Sequence, residues 1–201
     1  MAHSKGEQTR KAILEAAITR FGREGFRATS VADIARDANV GGTVAYAYFP
    51  SKEALFLAAL DEDAAAVIHE GLALMSNPIT IDDWRGTLVF TLLDAVQRHP
   101  LARRLLAGLE PDVTDRVLEI PALAELRKAC AAQLRAEQEA GVIRADIDPT
   151  TMGNGVIAIV LSLLMSVVQL GPAAAAPYAS DVIAVFQAAI ERTPVRQPAA
   201  D

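Results

Sequence analysis

The side chains that most often carry out catalysis or bind metals are sparse in this sequence. None of its three histidines, His3, His69 and His99, is spaced from another histidine, a cysteine or a carboxylate as metal ligands are. The single cysteine, Cys130, cannot form a disulfide within the chain, and we expect it to be a small buried side chain. No nucleophile elbow, phosphate-binding loop or dinucleotide-binding glycine motif occurs. The sequence therefore predicts no catalytic site, no metal site and no cofactor.

One short segment is instead rich in small and hydrogen-bonding residues. Its members are Gly41, Gly42, Thr43, Tyr46 and Tyr48. Short side chains keep a helix slim where it begins, and a helix must be slim there to enter a DNA major groove about 12 Å wide. The hydroxyl groups can hydrogen-bond to phosphates or to base edges. The segment therefore indicates a surface that binds double-stranded DNA.

The distribution of charge is compatible with a small DNA-binding region. The chain has a net charge of −6, which argues against a protein that coats nucleic acid. Up to Ala54, however, eight basic residues stand against six acidic ones, so this part carries +2 and the remainder −8. Contact with phosphates requires positive charge near the contact, and a basic chain as a whole is not needed.

Short helices position this segment, and their ends are marked in the sequence. Apolar residues at three- and four-residue spacing predict a first helix over Glu7–Arg23. Ser30 is a suitable N-cap for a short helix over Val31–Ala38, and Asn39 tolerates the left-handed conformation of a tight turn. A second short helix follows from about Gly41 to Tyr48. Two short helices joined by a tight turn and packed on a longer one form a helix-turn-helix unit.

The rest of the chain also predicts helices, without strands or repeats. Further helices are expected over Ser51–Met75, over a segment that ends near Arg98, and over Ala122–Ala140. Two more are expected over Pro149–Leu170, with Asp148 as the N-cap, and over Pro177–Arg192. Val156–Leu170 is nearly all apolar, but its 15 residues are fewer than the roughly 20 needed to span a bilayer. Since a helix this apolar must be buried from several sides, we expect it at an oligomer interface.

The N-terminal quarter resembles a known protein family. The similarity lies in residues 21–35, in residues 40–46, and in Tyr48, Phe49, Ser51, Lys52, Glu53 and Leu55. Caps, turn, aromatic residues and lysine all have the spacing of the TetR family of repressors. The resemblance implies an all-α fold of about nine helices, a homodimer held by the last two, and an effector pocket in the second domain. We expect a helix-turn-helix domain over residues 1–54, a helical effector-binding and dimerisation domain over 55–193, and a disordered tail over 194–201.

The resemblance also implies roles for individual residues. Ser30 and Lys52 would hold phosphates, and Tyr46 and Tyr48 would reach the DNA backbone or bases. The base edges would be faced by Gly41, Gly42 and Thr43. A purely structural alternative remains for two of these residues, since Ser30 could act only as an N-cap and Tyr48 could act only in packing.

The sequence departs from the family pattern in two places of the second short helix, at Thr43 and Val44 and at the helix start, which Gly41 and Gly42 weaken. Family members often place Gly-Thr immediately before an apolar residue and the tyrosine. Here Thr43 stands three residues before Tyr46, so Val44 occupies the place where a threonine hydroxyl would be expected to meet a phosphate. The operator sequence does not follow from the family pattern.

Candidates for the pocket and the interface are less specific. Large or polar residues on otherwise apolar helix faces give the pocket candidates Trp84, Phe90, Leu105, Met152 and Asn154. The interface candidates are Val160, Leu164, Val168, Val182, Phe186 and Ala189. A small and polar stripe follows Asn154 and consists of Ala158, Ser162, Ser166 and Gln169. This stripe either lines a cavity or lets two helices approach closely across a dimer axis.

These observations predict a cytoplasmic, sequence-specific repressor that binds a palindromic operator as a dimer. Because the second domain offers mostly aliphatic helix faces, we expect a small hydrophobic effector that releases the protein from DNA. The alternative is a ligand-independent DNA-binding dimer, either a co-regulator or an architectural protein, whose second domain serves only assembly. The absence of a cavity in that domain would favour the alternative. A membrane location and an enzymatic activity are not expected.

Overall fold

The computed structural model describes residues 5–76 and 84–191, and within these ranges it contains nine α-helices, one 3₁₀ helix and no strand. In chain order the α-helices are α1 (Lys5–Ala28), α2 (Val31–Asp37), α3 (Gly42–Tyr48), α4 (Lys52–Ser76), α5 (Trp84–Arg98), α6 (Pro100–Leu106), α7 (Pro121–Glu139), α8 (Pro149–Leu170) and α9 (Pro172–Ile190). The 3₁₀ helix, Pro111–Glu119, lies between α6 and α7. The predicted all-α fold is thus confirmed.

The helices pack around two apolar cores, which share α4 and α6. The first core is formed by α1, α2, α3 and the beginning of α4, up to Leu60. The second begins at Ala64 of α4 and includes residues of α5, α7, α8 and α9. On α6, Leu101 belongs to the first core and Ala102 to the second. The first core therefore extends past residue 54, where we placed the boundary of the helix-turn-helix domain.

Local capping signals predicted from the sequence are present in the structure. The side-chain oxygens of Ser30, Ser51 and Asp148 each accept a hydrogen bond from the backbone N–H three residues later, at 3.1, 3.0 and 2.7 Å. Asn39 has a φ of 56°, the left-handed conformation expected of the turn between α2 and α3. These interactions fix where α2, α4 and α8 begin and how α3 leaves α2.

The first helix is longer than predicted, because neither Gly22 nor Gly25 ends it. A Cβ at Gly22 would lie 2.7 Å from Cβ of Pro100, so this glycine allows α6 to approach α1 closely. Gly25 adopts a φ of +83° and kinks the helix, which nevertheless continues to Ala28. Gly22 therefore serves the close packing of α1 against α6, a helix that is distant in sequence.

The last helix begins earlier than predicted. Gly171, with a φ of +87°, ends α8, and Pro172 occupies the first position of α9. Pro177, where we expected the helix to start, instead lies within α9. The predicted tail over 194–201 lies outside the described residues.

Candidate nucleic-acid interface and apolar cavity

The outer face of α3 consists of short side chains. Ala45 is fully buried against the first core, whereas Thr43, Val44 and Tyr46 are exposed. Successive residues of an α-helix are rotated by about 100°, so Thr43 and Ala47 point most directly away from the buried Ala45. We call these two residues the outer ridge of α3. It is the part of the helix that reaches furthest from the protein.

The two glycines at the start of α3 have no packing role within the protomer. A Cβ at Gly42 would meet nothing within 4 Å, and one at Gly41 would meet only a methyl of Val44 at 3.9 Å. Gly41 has a φ of −70°, which other residues adopt readily. Gly41 is the N-cap of α3, a position that tolerates glycine, whereas Gly42 lies inside the helix, where glycine costs up to about 1 kcal/mol relative to alanine.

Two cations lie beside the C-terminal end of α3. Nζ of Lys52 lies 4.4 Å from the centroid of the Phe26 ring, and Cζ of Arg10 lies 5.3 Å from that of Phe49. Within the described part of the chain neither side chain forms an ion pair with a carboxylate. Each ring holds its cation in place without neutralising it, so both charges remain available to an external anion.

The other residues expected to contact DNA differ in how much they are buried or hydrogen-bonded within the protomer. The hydroxyl of Ser30 accepts the backbone N–H of Asp33 and donates to the Asp33 carboxylate at 2.6 Å, which lowers the pKa of that carboxyl. Ser30 is therefore an N-cap, although it is also exposed. Tyr48 is partly buried against the first core, whereas Tyr46 is 53% exposed. Of the two tyrosines, Tyr46 is the more accessible to a ligand.

A clamp of charged residues fixes α2 on α1. The guanidinium of Arg20 donates two hydrogen bonds to the Asp37 carboxylate, at 2.6 and 3.0 Å, and also contacts Glu24. The hydrogen bonds from Arg20 keep the pKa of Asp37 below its usual value. Because the bonds are bidentate, they fix direction as well as distance. The clamp therefore holds the orientation of α2 relative to α1.

A small cavity of about 60 Å³ lies in the second core. Its walls come from α4, α5, α6, α7, α8 and the 3₁₀ helix, and every side chain that lines it is that of alanine, valine, leucine or isoleucine. Such a lining offers no side-chain partner for a buried polar group. The cavity therefore suits an apolar molecule or the apolar part of an amphipathic one.

One short helix connects the cavity with the first core. Ala102 and Leu106 of α6 line the cavity, and Leu101 of α6 is buried in the first core. Leu105 does both, since it lines the cavity and belongs to the first core. A ligand that fills the cavity would thus contact α6, and α6 also packs against α1.

A buried carboxylate caps this helix. Oδ2 of Asp63, on α4, accepts the backbone N–H groups of Leu101 and Ala102, both at 2.9 Å. Its other oxygen lies 2.8 Å from Nδ1 of His99. His99 thus pairs with a carboxylate on α4. The cap comes from 38 residues earlier in the chain, which no local pattern could reveal.

A second polar link joins the end of α6 to α1. Oε1 of Glu110 accepts the backbone N–H of Phe26 at 3.1 Å and the Nε–H of Arg104 at 2.6 Å. The kink at Gly25 frees this N–H from the regular helical pattern, so a side chain can bind it. Sequence analysis also missed this link, since Glu110 lies 84 residues from Phe26.

Comparison with known proteins identifies the fold and the family. The family described as "Bacterial regulatory proteins, tetR family" matches residues 13–59. The HTH-type transcriptional repressor SCO4008 of Streptomyces coelicolor is 31% identical over 148 residues, which cover 71% of each chain. The chain belongs to the TetR family. It is therefore a DNA-binding transcriptional regulator, as members of this family are.

Solved structures of TetR-family proteins share the fold along nearly the whole chain. A regulator from Cytophaga hutchinsonii superposes with a TM-score of 0.73 at 21% identity, covering 96% of this chain and 100% of that one. Thermus thermophilus FadR, a TetR-family repressor in complex with lauroyl-CoA, has a TM-score of 0.64 at 22% identity, with 95% and 100% covered.

In this TetR-family regulator, most residues expected to line the pocket lie elsewhere. Of the five candidates only Leu105 lines the cavity. Trp84 is buried but donates its indole N–H to Glu137 at 2.6 Å, and Phe90 is 64% exposed. Met152 packs at the edge of the second core. The fifth candidate, Asn154, is exposed in a groove between α7 and α8, so no polar candidate reaches the lining of the cavity.

Of the six residues expected at the dimer interface, three are buried within the protomer and three are partly exposed. Val160, Leu164 and Phe186 point into the second core, and the first two line the cavity. They cannot face another subunit without unfolding the protomer, so this part of the prediction needs correction. Val168, Val182 and Ala189 are partly exposed.

The small and polar stripe on α8 does not line the cavity. Asn154, Ala158, Ser162 and Gln169 are exposed. Ser162 donates to the backbone oxygen of Ala158, and Ser166 donates to that of Ser162, so these hydroxyls are bonded within the helix. Gln169 instead donates to the backbone oxygen of Leu106 at 2.8 Å, so it links α8 to α6. For the short side chains of the stripe, close approach of another helix stays a prediction.

The last two helices are unusually apolar for surface helices. Both α8 and α9 are long and apolar enough to cross a membrane, judged by length and composition alone, but core helices of soluble proteins share this property. Within the protomer only 19% of the apolar stretch of α9 is buried, and Val185 and Tyr178 are exposed.

The single cysteine, Cys130, is buried as expected, and burial raises the pKa of its thiol to about 12.

Proposed function

We propose that this regulator is a homodimeric, cytoplasmic repressor of a palindromic operator, and that a small apolar or amphipathic molecule releases it from DNA. The observation that carries the proposal is the aliphatic cavity whose wall includes α6, the helix that also packs in the first core. A ligand site and the DNA-binding unit are thereby connected through one short element.

The DNA contacts are assigned by position in the helix-turn-helix unit. Gly41, Gly42 and Thr43 would face base edges, with Tyr46 reaching bases or the backbone. The phosphates would be held by Lys52, with secondary contributions from Ser30 and Tyr48. The exposed slim start of α3 and the unneutralised charge of Lys52 support these assignments.

The assignment of Lys52 can be tested by the salt dependence of binding. A residue that neutralises one phosphate contributes about one unit to the slope of log K against log salt. We expect Lys52→Ala to weaken binding to all sequences alike and to reduce that slope by about one per subunit. Lys128→Ala, on α7, is the matched control and should leave the slope unchanged. An unchanged slope for Lys52→Ala would remove this residue from the DNA contacts.

Dimerisation is supported by the surfaces that α8 and α9 leave uncovered. Short side chains of α8 such as Ala158 and Ser162 are exposed in the protomer, and so are apolar positions of the neighbouring α9 such as Val185. Two copies related by a twofold axis would bury both surfaces in a four-helix interface. A twofold dimer also requires a palindromic operator, because each subunit then binds an equivalent half-site.

The chemistry of the lining indicates the class of effector. A sugar or nucleotide would lose its hydrogen bonds to water in the cavity and would gain none from the lining side chains. An apolar molecule loses nothing and is driven in by the hydrophobic effect. That the similarly folded FadR was solved in complex with lauroyl-CoA supports a ligand with an aliphatic part.

Release requires that the ligand bind better to a form that does not fit DNA. To reverse the equilibrium, this preference must reach several kcal/mol. The cavity can supply it through α6, which is capped by Asp63 and linked to α1 by Glu110. A ligand that displaces α6 would change the separation of the two DNA-binding units, so that they no longer match successive major grooves.

The proposal can be tested with full-length protein and an operator isolated by genomic pull-down. Saturated fatty acids and other lipophilic compounds would be screened for an increase in Tm, and operator affinity would be measured by fluorescence anisotropy. We expect the stabilising compounds to weaken operator binding. Leu123→Phe, which fills part of the cavity, should lose this response and keep operator affinity, whereas Leu118→Phe, on the exposed side of the 3₁₀ helix, should behave like wild type.

The alternative function, a ligand-independent DNA-binding dimer, predicts a different result. Compounds that raise the Tm would then leave operator affinity unchanged. If highly polar compounds were the effective ones, the cavity would not be the effector site, although repression could still hold. The presence of an unfilled aliphatic cavity favours the effector-released repressor.

A further inference from the structure

We propose that the outer ridge of α3, Thr43 and Ala47, recognises the C5-methyl groups of thymines in the major groove of the operator. The inference rests on the proposed operator binding by α3. It adds which feature of the bases the helix recognises, and therefore which base the operator must present to it.

The first observation is the absence of side chains that recognise purines. Guanine is bound bidentately by arginine or lysine, and adenine by asparagine or glutamine. The sequence of α3, GTVAYAY, contains none of these residues and no carboxylate that could accept from cytosine. Sequence discrimination by this helix must therefore come from hydroxyl groups and apolar contacts.

The second observation is what the helix presents instead. Thr43 carries a methyl group beside its hydroxyl, and the side chain of Ala47 is a methyl group. One helical turn separates them, so they lie on the same line along the helix. Among the base edges of the major groove, the thymine methyl is the apolar feature, and alanine and the threonine methyl are known to contact it. Val44, which is 40% exposed, flanks this ridge and adds further apolar surface.

The third observation is that the helix is shaped for close approach. Methyl groups attract one another only within about 4 Å, so short side chains require the backbone itself to come near the bases. Gly41 and Gly42 provide this, since neither has a packing role within the protomer. Longer side chains at these two positions would hold the ridge away from the groove.

The inference can be tested on duplexes selected by the full-length protein from a randomised pool of DNA. In the selected duplex each thymine is replaced in turn by deoxyuridine, which lacks only the C5-methyl group. We expect about a fourfold loss of affinity at one or two thymines in each half-site, the effect of leaving one methyl group unburied. The other thymines should tolerate the change.

Two substitutions of Thr43 separate its methyl group from its hydroxyl. Thr43→Ser keeps the hydroxyl, and we expect it to bind the thymine duplex about fourfold more weakly per half-site, which is about sixteenfold for the dimer, and to lose sensitivity to deoxyuridine at one position of each half-site. Thr43→Val keeps the methyl group and should retain that sensitivity. Thr150→Ser is the matched control, because Thr150 is likewise exposed at the second position of a helix, α8.

Duplexes that contain cytosine or 5-methylcytosine distinguish the contribution of the methyl group from that of the rest of thymine. Replacing the sensitive T·A pair by C·G should weaken binding, and 5-methylcytosine at the same place should restore about fourfold relative to cytosine. Specific binding that tolerates deoxyuridine at every position would overturn the inference while leaving the regulator function intact. If the protein showed no preference among duplexes, both the operator proposal and this inference would be wrong.

Discussion

The outer ridge of α3 and the lining of the cavity are built from the same kinds of small, apolar groups, but they face opposite ways. On α3 these groups point to solvent, and only Ala45 anchors the helix by full burial. In the cavity every lining side chain points inward, and six helical elements surround it. In the proposed function a large partner, DNA, covers the first surface and a small ligand fills the second.

The two regions also differ in how polar groups support them. Around α3 the polar contacts lie at the surface, as in the clamp between Arg20 and Asp37. Behind the cavity a carboxylate, Asp63, is buried and bonded to two backbone N–H groups. We therefore expect α3 to tolerate local change better than α6, whose N-terminal end is bonded to the buried Asp63.

The outward face of α9 should respond most strongly to a charge, if it is buried by a second subunit. Val185→Glu places a carboxylate at a position that is 61% exposed in the protomer but covered in the proposed dimer. An unpaired charge in an interface costs about 3–5 kcal/mol, so the dimer should dissociate at micromolar concentration. Light scattering measures the mass.

The control for this substitution is Val142→Glu, in the turn after α7, at a residue that is 66% exposed. It should remain dimeric. A dimeric Val185→Glu variant would show that the outward face of α9 lies outside the interface. Phe186→Glu would not test the interface, because Phe186 is buried within the protomer.

Removing the buried cap of α6 should destabilise the whole protein. Asp63→Ala leaves the N–H groups of Leu101 and Ala102 without partners in a buried site, which should lower the free energy of unfolding by about 3 kcal/mol. Urea denaturation measures it. Asp94→Ala, at an exposed carboxylate that pairs with Arg98, should change stability by less than about 0.5 kcal/mol. Similar losses in the two variants would contradict the role assigned to Asp63.

Alanine should have opposite effects at two helical glycines. Gly42→Ala meets nothing within 4 Å and should stabilise the protein by up to about 1 kcal/mol, while weakening DNA binding because the helix becomes thicker. Gly22→Ala should destabilise it, since its Cβ would clash with Pro100. Thermal unfolding and anisotropy with the operator measure both properties. Unweakened DNA binding by Gly42→Ala would show that the slim start of α3 is not required.

The smallest expected effect concerns the pH dependence of the clamp on α1. Because Arg20 lowers the pKa of Asp37, the carboxylate stabilises the folded state above its ordinary pKa of 3.8, and this contribution disappears as the pH falls through the lowered value. Asp37→Asn should therefore reduce the urea midpoint at pH 7, with a smaller difference below about pH 3.8. Asp112→Asn, at an exposed carboxylate, should alter neither midpoint noticeably. A pH-independent difference would mean that the clamp acts through shape and not charge.

Features that depend on a few neighbouring residues could be predicted from the sequence. The caps at Ser30, Ser51 and Asp148, and the left-handed turn at Asn39, involve partners within four residues. The helix-turn-helix unit follows from these signals, and so does the exposed slim start of α3. The family followed from the same segment, since its motif is concentrated there.

Only the tertiary structure decided which way the apolar residues of the second domain face. On α8 almost every residue is apolar, so periodicity cannot distinguish the cavity side, with Val160 and Leu164, from the outer side. Gly22, Asp63 and Glu110 likewise act through partners that are distant in the chain. Helix ends are determined by backbone groups nearby, whereas the burial of a face is determined by whichever helices pack against it. The sequence by itself therefore determined the helices and the DNA-binding unit, and the packing of α4 to α8 determined the cavity and its connection to that unit.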